Sequence, residues 1–185
     1  MTAPTGLAAG ATTPLLTGAL KLSWNAVSGA TTYSVYRNGT LLTTSSATTF
    51  NPTGTTNNAL ATYTVTASAT GHTTSTAATL SAGVYQGTSV ADQRGRSVYG
   101  NIQTSVVVTS TASKAITGCW ATYPTNSDSG TINPPAITNL CNQVVTKHPV
   151  ASTVAALITN VSGASATSPA FKTSLQAALT TAGMP

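Results

Sequence analysis

The stretch Gly29-Ala30-Thr31-Thr32-Tyr33-Ser34-Val35-Tyr36-Arg37-Asn38-Gly39-Thr40-Leu41-Leu42 decides the class of the first half of the chain. Thr32 to Arg37 reads as a strand, and Asn38-Gly39 is a strong signal for a two-residue hairpin. A type I′ turn needs positive φ at both central positions, which Asn and Gly tolerate best. Leu41 and Leu42 then begin the return strand. Outward from this hairpin the same period-two pattern recurs. Leu20, Leu22 and Trp24 share one face of a strand, and Tyr63, Val65 and Ala67 share one face of a later, central one. Short bursts of this kind, separated by Gly, Asn and Pro from Pro4 to about Ala82, predict a small all-β sandwich.

After Ala82 the pattern changes. The stretch Gly83 to Arg96, which carries Asp92, Arg94 and Arg96, reads as an interdomain connection. Two strand-like runs follow, Val98 to Thr109 and Lys114 to Tyr123, with Ser110-Thr111-Ala112-Ser113 as the hairpin between them. Ile137, Leu140, Cys141, Val144 and Val145 then fall three and four apart, which predicts a helix from about Pro135 to Lys147 with proline in its first turn. A second helix is signalled by Ser168 as N-cap, Pro169 at the first helical position, Phe171, Leu175, Ala178, Leu179 and Ala182 on one face, and Gly183 just past the end.

Composition narrows the function classes. Charged residues make up 5% of the 185 residues, against about a quarter in an ordinary soluble domain. Thr, Ser, Ala and Gly fill the gap. The formal charge of +5 comes from two acidic residues set against seven scattered basic ones, Lys21, Arg37, Arg94, Arg96, Lys114, Lys147 and Lys172; without a basic stripe, no nucleic-acid partner is expected. The longest apolar runs, such as Val106-Val107-Val108, fall far short of the roughly 18 residues that span a bilayer, so no membrane partner is expected either. The start, Met1-Thr2-Ala3-Pro4, shows no export signal, which implies synthesis in the cytoplasm. Cys119 and Cys141 are too far apart for a CxxC redox or zinc motif, and the reading is a buried thiol pair or one structural disulfide. The acidic supply is Asp92 and Asp128 alone, and His72 and His148 fall in different halves. No catalytic or metal site is therefore expected, and substitution of both histidines is expected to leave the protein's role intact.

Two family resemblances rest on particular residues. Pro4-Thr5-Gly6-Leu7, Leu22-Ser23-Trp24-Asn25, Gly29 to Gly39, and Tyr63-Thr64-Val65-Thr66-Ala67 resemble a fibronectin type III domain. That resemblance implies an immunoglobulin-like sandwich with Trp24 and Tyr63 in its core, used elsewhere as a spacer or adhesion module. In the second half, Tyr99-Gly100-Asn101-Ile102-Gln103, Lys114-Ala115-Ile116-Thr117, Tyr123-Pro124, Ile132-Asn133, Ala136-Ile137, Leu140, Val161 to Ser168 and Ser174 to Leu179 resemble the small FMN-binding domain family. The family's Ser-Gly-Ala-Thr-x-Thr motif sits beside the flavin, and in some members its last Thr carries FMN through a phosphoester. The matching position is Thr167. Thr159 stands where an acidic residue is usual, Ser165 replaces a Thr, and Ala166 stands where an aromatic residue is frequent.

The expected architecture is thus two domains: a fibronectin type III-like all-β sandwich over residues 1–83, a linker over 84–96, and a small α+β FMN-binding-like domain over 97–185. Small residues let backbone approach a ligand, and the N–H groups opening the last helix would face an anion. Ser162, Gly163, Ala164, Ser165, Thr167 and Ser168 are therefore the candidate cofactor-binding residues if FMN is held. Three functions compete. The composition favours a non-enzymatic structural subunit on the surface of an assembled particle such as a bacteriophage virion, partnered by other subunits and without a cofactor. The resemblance offers an FMN-carrying electron-transfer module. The third is adhesion to carbohydrate or a host surface, for which Trp120, Tyr123 and Tyr85 are the aromatic candidates.

Overall fold

The computed structural model describes residues 1–13, 18–54, 58–110, 114–126 and 129–185. The first half supplies β1 (Ala8–Ala11), β2 (Leu20–Ser23), β3 (Thr32–Arg37), β4 (Thr40–Ser45), β5 (Thr49–Phe50), β6 (Ala61–Ser68) and β7 (Ala78–Gln86). The second supplies β8 (Val90–Arg94), β9 (Ser97–Ser110), β10 (Lys114–Thr122), α1 (Ser129–Lys147), the single turn α2 (Val154–Leu157) and α3 (Thr167–Thr181). A small sheet, β1-β2-β5, faces a large one ordered β10-β9-β7-β6-β3-β4, with β8 paired to β9. The arrangement is a β-sandwich with helices gathered at the C-terminal end, consistent with a fibronectin type III-like first half.

The predicted faces Leu20, Leu22 and Trp24, and Tyr63, Val65 and Ala67, enter one apolar core, and Tyr33 and Val35 of β3 join them there. Asn38 and Gly39 both take positive φ, 49° and 82°, and close the β3–β4 hairpin. The opposite face of β3, β6 and β4 is hydroxyl-rich: Ser34, Thr44, Thr64 and Thr66 stand where a charged surface is customary.

The stretch read as a linker is largely strand. Residues 84–86 finish β7 and Val90 to Arg94 form β8. Its signal is weak because β7 and β9 are covered on both sides. On β7, Ala82 and Val84 enter the sandwich core while Tyr85 enters a second core beneath the helices. On β9, Val107 goes to the first core, and Val106 and Val108 to the second. Double-sided burial erases polar alternation. One sheet consequently runs through both halves, through the pairing of β7 with β9 from Ala82↔Thr109 to Gln86↔Ser105.

Across the second core α3 lies on β7, β8 and β9, and α1 on β10. Thr104, fully buried on β9, binds α3 twice: its N–H donates to Ser174 Oγ at 2.8 Å and its hydroxyl to the Phe171 carbonyl at 3.3 Å. At the same junction a Cβ on Gly87 would run into the Ser174 carbonyl. Gly87→Ala is expected to push α3 off the sheet and lower the melting temperature of the full chain by several degrees, measurable by circular dichroism.

Both helices depart from expectation at their starts. α1 begins at Ser129, so Pro134 and Pro135 lie inside it and remove two ladder donors instead of occupying the first turn. α3 begins at Thr167 with Ala166 at its N-cap, and no side chain caps it. Ser168 is the second helical residue, and its hydroxyl accepts the Val161 N–H at 3.0 Å. The far end is as read. Gly183 follows the Ala182 C-cap with φ 67°; its N–H reaches Thr180 and that of Met184 reaches Leu179, the Schellman pattern. Lys114 Nζ adds bonds to the Ala182 and Gly183 carbonyls at 2.6 and 3.0 Å, placing a cation at the negative helix end.

Cys119 of β10 and Cys141 of α1 form a disulfide across a sequence separation of 22 residues. Closing a loop of that size restricts the unfolded chain by about 3 kcal/mol. Denaturant unfolding with and without reductant is expected to show a loss of that order. The linking residues 111–113 of the β9–β10 hairpin, and Asp128, lie outside the described residues.

Candidate functional site

Three apolar stripes end in polar residues at one place. On β8, Val90 and Asp92 share the side that faces the helices, so the alternation that covers Val90 also buries a carboxyl. On α1, Asn133 lies one turn before Ile137 on the buried face. On α3, Thr167 lies one turn before Phe171 on its buried face. These side chains form a chain of hydrogen bonds. The Thr167 hydroxyl donates to Asn133 Oδ1 at 2.7 Å. Asn133 Nδ2 donates to the Pro124 carbonyl at 3.0 Å and, at 3.4 Å, to Asp92 Oδ2.

Asp92 is 2% exposed, and its Oδ1 has no hydrogen-bond partner among the described residues. A buried acceptor without a donor is costly, and a charged one more so. Burial raises the Asp92 carboxyl above its ordinary range, and Asn133 and Thr167 pull it partly back. The folded protein therefore binds more protons than the unfolded chain between the ordinary carboxylate pKa and the raised one. Stability contributed in that window is expected to fall as pH rises through it. Asp92→Asn should flatten this slope and melt above the parent at pH 7, as a pair of melting-temperature profiles against pH would establish.

Perturbed carboxylates are commoner at functional sites than elsewhere, and Asp92 is a perturbed one. It opens on a cavity of about 390 Å³, which Arg94, Tyr99, Ile132 and the backbone turn from Gly163 to Thr167 also line. A volume of roughly 300–1,000 Å³ suits a cofactor-sized ligand. Arg94 brings a permanent cation, while half-buried Tyr99 and exposed Ile132 bring apolar surface. The cavity thus offers a place for an anion, a flat apolar contact, and a buried acceptor within one space.

Of the candidate residues, Gly163, Ala164, Ser165 and Thr167 line this cavity. Ser162 is exposed and Ser168 is buried away from it in its bond to Val161. Part of the helix opening is occupied by backbone bonds. The N–H groups of Ala164, Ser168 and Ala170 are taken by the carbonyls of Val161, Ala164 and Ala166, because the preceding turn runs straight into the helix. Arg94 is the cationic side chain that lines the cavity. Asp92, Arg94, Tyr99 and Asn133 were not among the candidates. The legible signal was that an acidic residue is rare in this chain, and Asp92 is one of two.

The aromatic adhesion candidates are placed otherwise. Trp120 and Tyr85 are buried in the two cores, and Tyr123 is half-buried against the second. Neither Trp120 nor Tyr85 presents a ring to a ligand. His72 and His148 are both exposed, in the β6–β7 connection and just after α1. No three His, Cys, Asp or Glu side chains gather among the described residues. No helix among them is long and apolar enough to cross a membrane.

A 65-residue stretch is 46% identical to part of a poly(3-hydroxybutyrate) depolymerase from Ralstonia pickettii, covering 35% of this chain and 13% of that protein. The match is partial. No family model matches the chain, and no solved structure does. The partial likeness, together with the sandwich topology, is consistent with a fibronectin type III-like domain in this chain.

Proposed function

We propose that the chain is a sandwich spacer fused to a small α+β unit of the FMN-binding type, and that the cavity between β8, α1 and α3 holds flavin mononucleotide. The observation that carries this reading is the cavity that the buried residue Asp92 lines together with the turn Gly163 to Thr167 and Arg94. The residues fit the group. Arg94 suits the phosphate, Tyr99 and Ile132 suit a flat ring, and Asp92 suits a hydroxyl or ring N–H. Bound flavin would supply electron transfer; the chain's own residues would bind it, orient it and keep its inner side from water. Reconstitution of the full chain with FMN, followed by gel filtration, is expected to give a yellow protein with near-stoichiometric flavin. A colourless protein fraction would contradict the reading.

A second reading is favoured by the edge strand β4. Leu41 is 52% exposed beside exposed Leu42, on a sheet edge that bears no charge or proline. Such edges accept a further strand. This supports a role as a subunit on an assembled particle, with neighbouring subunits as partners. The protein should then sediment with a heavy particle from its native source; recovery as a light monomer alone would reject that role.

A further inference from the structure

We propose that the outer face of the small sheet carries a separate binding site, a hollow around Lys21 that takes a singly charged acidic sugar. The site is independent of the flavin and particle readings. On β2, Leu20 and Leu22 point into the sandwich core, so Lys21 between them lies on the other face of the sheet. Its cross-strand partner on β1 is Gly10, which has no side chain to lie over the lysine stem. On the opposite flank β5 ends at Phe50, and the register Ser23↔Thr49, Leu22↔Phe50 continues to set Asn51 beside Lys21. The result is a hollow of about 360 Å³ lined by Ala11, Thr12, Thr13, Lys21, Thr49 and Asn51. That volume lies in the range of small-molecule sites, roughly 300–1,000 Å³.

The lining selects the ligand. Thr12, Thr13 and Thr49 bring hydroxyls, Asn51 a carboxamide and Lys21 an ammonium, and no carboxylate lines the hollow among the described residues. Thr12 Oγ1 already accepts the Ala19 N–H at 2.9 Å, so its own proton is left to donate outward. An apolar ligand would cover these groups without pairing them, and a cationic one would meet a like charge. One lysine balances one negative charge. A phosphate monoester carries close to two and is matched by clustered arginines, which this hollow lacks. What fits is one acid group on a hydroxylated ring. The acid group pairs with the Lys21 ammonium, and the ring hydroxyls exchange hydrogen bonds with the threonines and with Asn51, whose carboxamide both donates and accepts. Lys21, Thr13, Thr49 and Asn51 are exposed and open to such a ligand, whereas Trp120 and Tyr85 are buried and offer no ring to a sugar. Binding through one exposed charge and a few hydroxyls is weak, with Kd on the order of millimolar.

The test compares methyl glucuronide with methyl glucoside, which differ only in carrying a carboxylate or a hydroxymethyl group on the same ring, and with acetate. Each is titrated into the nitrogen-labelled full chain and followed by amide resonances. Methyl glucuronide is expected to shift the amides of Thr12, Thr13, Thr49 and Asn51 and to bind about 5-fold or more tightly than either other compound. Lys21→Gln should abolish that preference and Lys21→Arg should keep it; with the side chain exposed, both variants should melt with the parent. Equal affinity for the glucoside, or an unchanged preference in Lys21→Gln, overturns the role of Lys21. Acetate bound as tightly as the glucuronide means an adventitious anion only and overturns the sugar assignment. A spectrum that none of the three compounds shifts overturns the site altogether, while the flavin reading stands or falls separately on the colour of the reconstituted protein.

Discussion

Trp120→Ala is expected to remove about 3–5 kcal/mol from the unfolding free energy of the full chain. The residue lies on β10, in the half that carries the cavity, yet its side chain is 5% exposed in the core of the sandwich. Gly18 approaches it so closely that a Cβ there would enter the indole. Alternation along β10 explains the placement: Cys119 and Ala121 turn toward the helices and Trp120 turns the other way. The substitution should therefore destabilise the first half although it is made in the second. Equilibrium denaturation followed by far-UV circular dichroism should show one transition with its midpoint shifted down. An unshifted midpoint would mean that the ring contributes nothing to the sandwich.

Trp24→Ala should cost a similar amount, about 3–5 kcal/mol, in the same core. Its ring meets Tyr33 edge-on with centroids 5.6 Å apart, an arrangement that adds to simple area burial. Tyr33 in turn uses its hydroxyl to accept the Val27 N–H at 2.8 Å, so loss of Trp24 loosens the turn that leads into β3. Both tryptophans enter one cluster. Substitutions that share a cavity do not add, and the double variant is expected to lose less than the two single losses together. Thermal melts of the three variants check this; strict additivity would place the rings in separate environments.

Where one face of an element meets water, its pattern was plain. Leu20, Leu22 and Trp24, or Tyr63, Val65 and Ala67, alternate with polar residues, and the Phe171 to Ala182 stripe repeats at helical spacing. The pattern faded where both faces are covered. Val84 and Tyr85 enter different cores, as do Val107 and Val108, and a strand of that kind carries no polar phase to read. β8 was hidden for another reason: Val90-Ala91-Asp92-Gln93-Arg94 has one large apolar residue, and its burial depends on α1 and α3, which lie far along the chain. The candidate site was half legible. The turn Gly163 to Thr167 announced itself by small residues, while Asp92 and Asn133 join it only through tertiary packing. Each is nonetheless the polar end of an apolar stripe, Asp92 two residues after Val90 and Asn133 four before Ile137. Ser168 misled as an N-cap because Thr167 continues the helix one residue further back.

The account turns on whether the cavity at Asp92, Arg94 and Thr167 takes a phosphorylated flavin. Parallel fluorescence titrations of the full chain with FMN and with riboflavin, which lacks the phosphate, test this most directly. Quenching of both is expected, with FMN bound about 10-fold or more tightly because Arg94 meets its phosphate. Unquenched emission from both flavins at saturating protein would contradict the account.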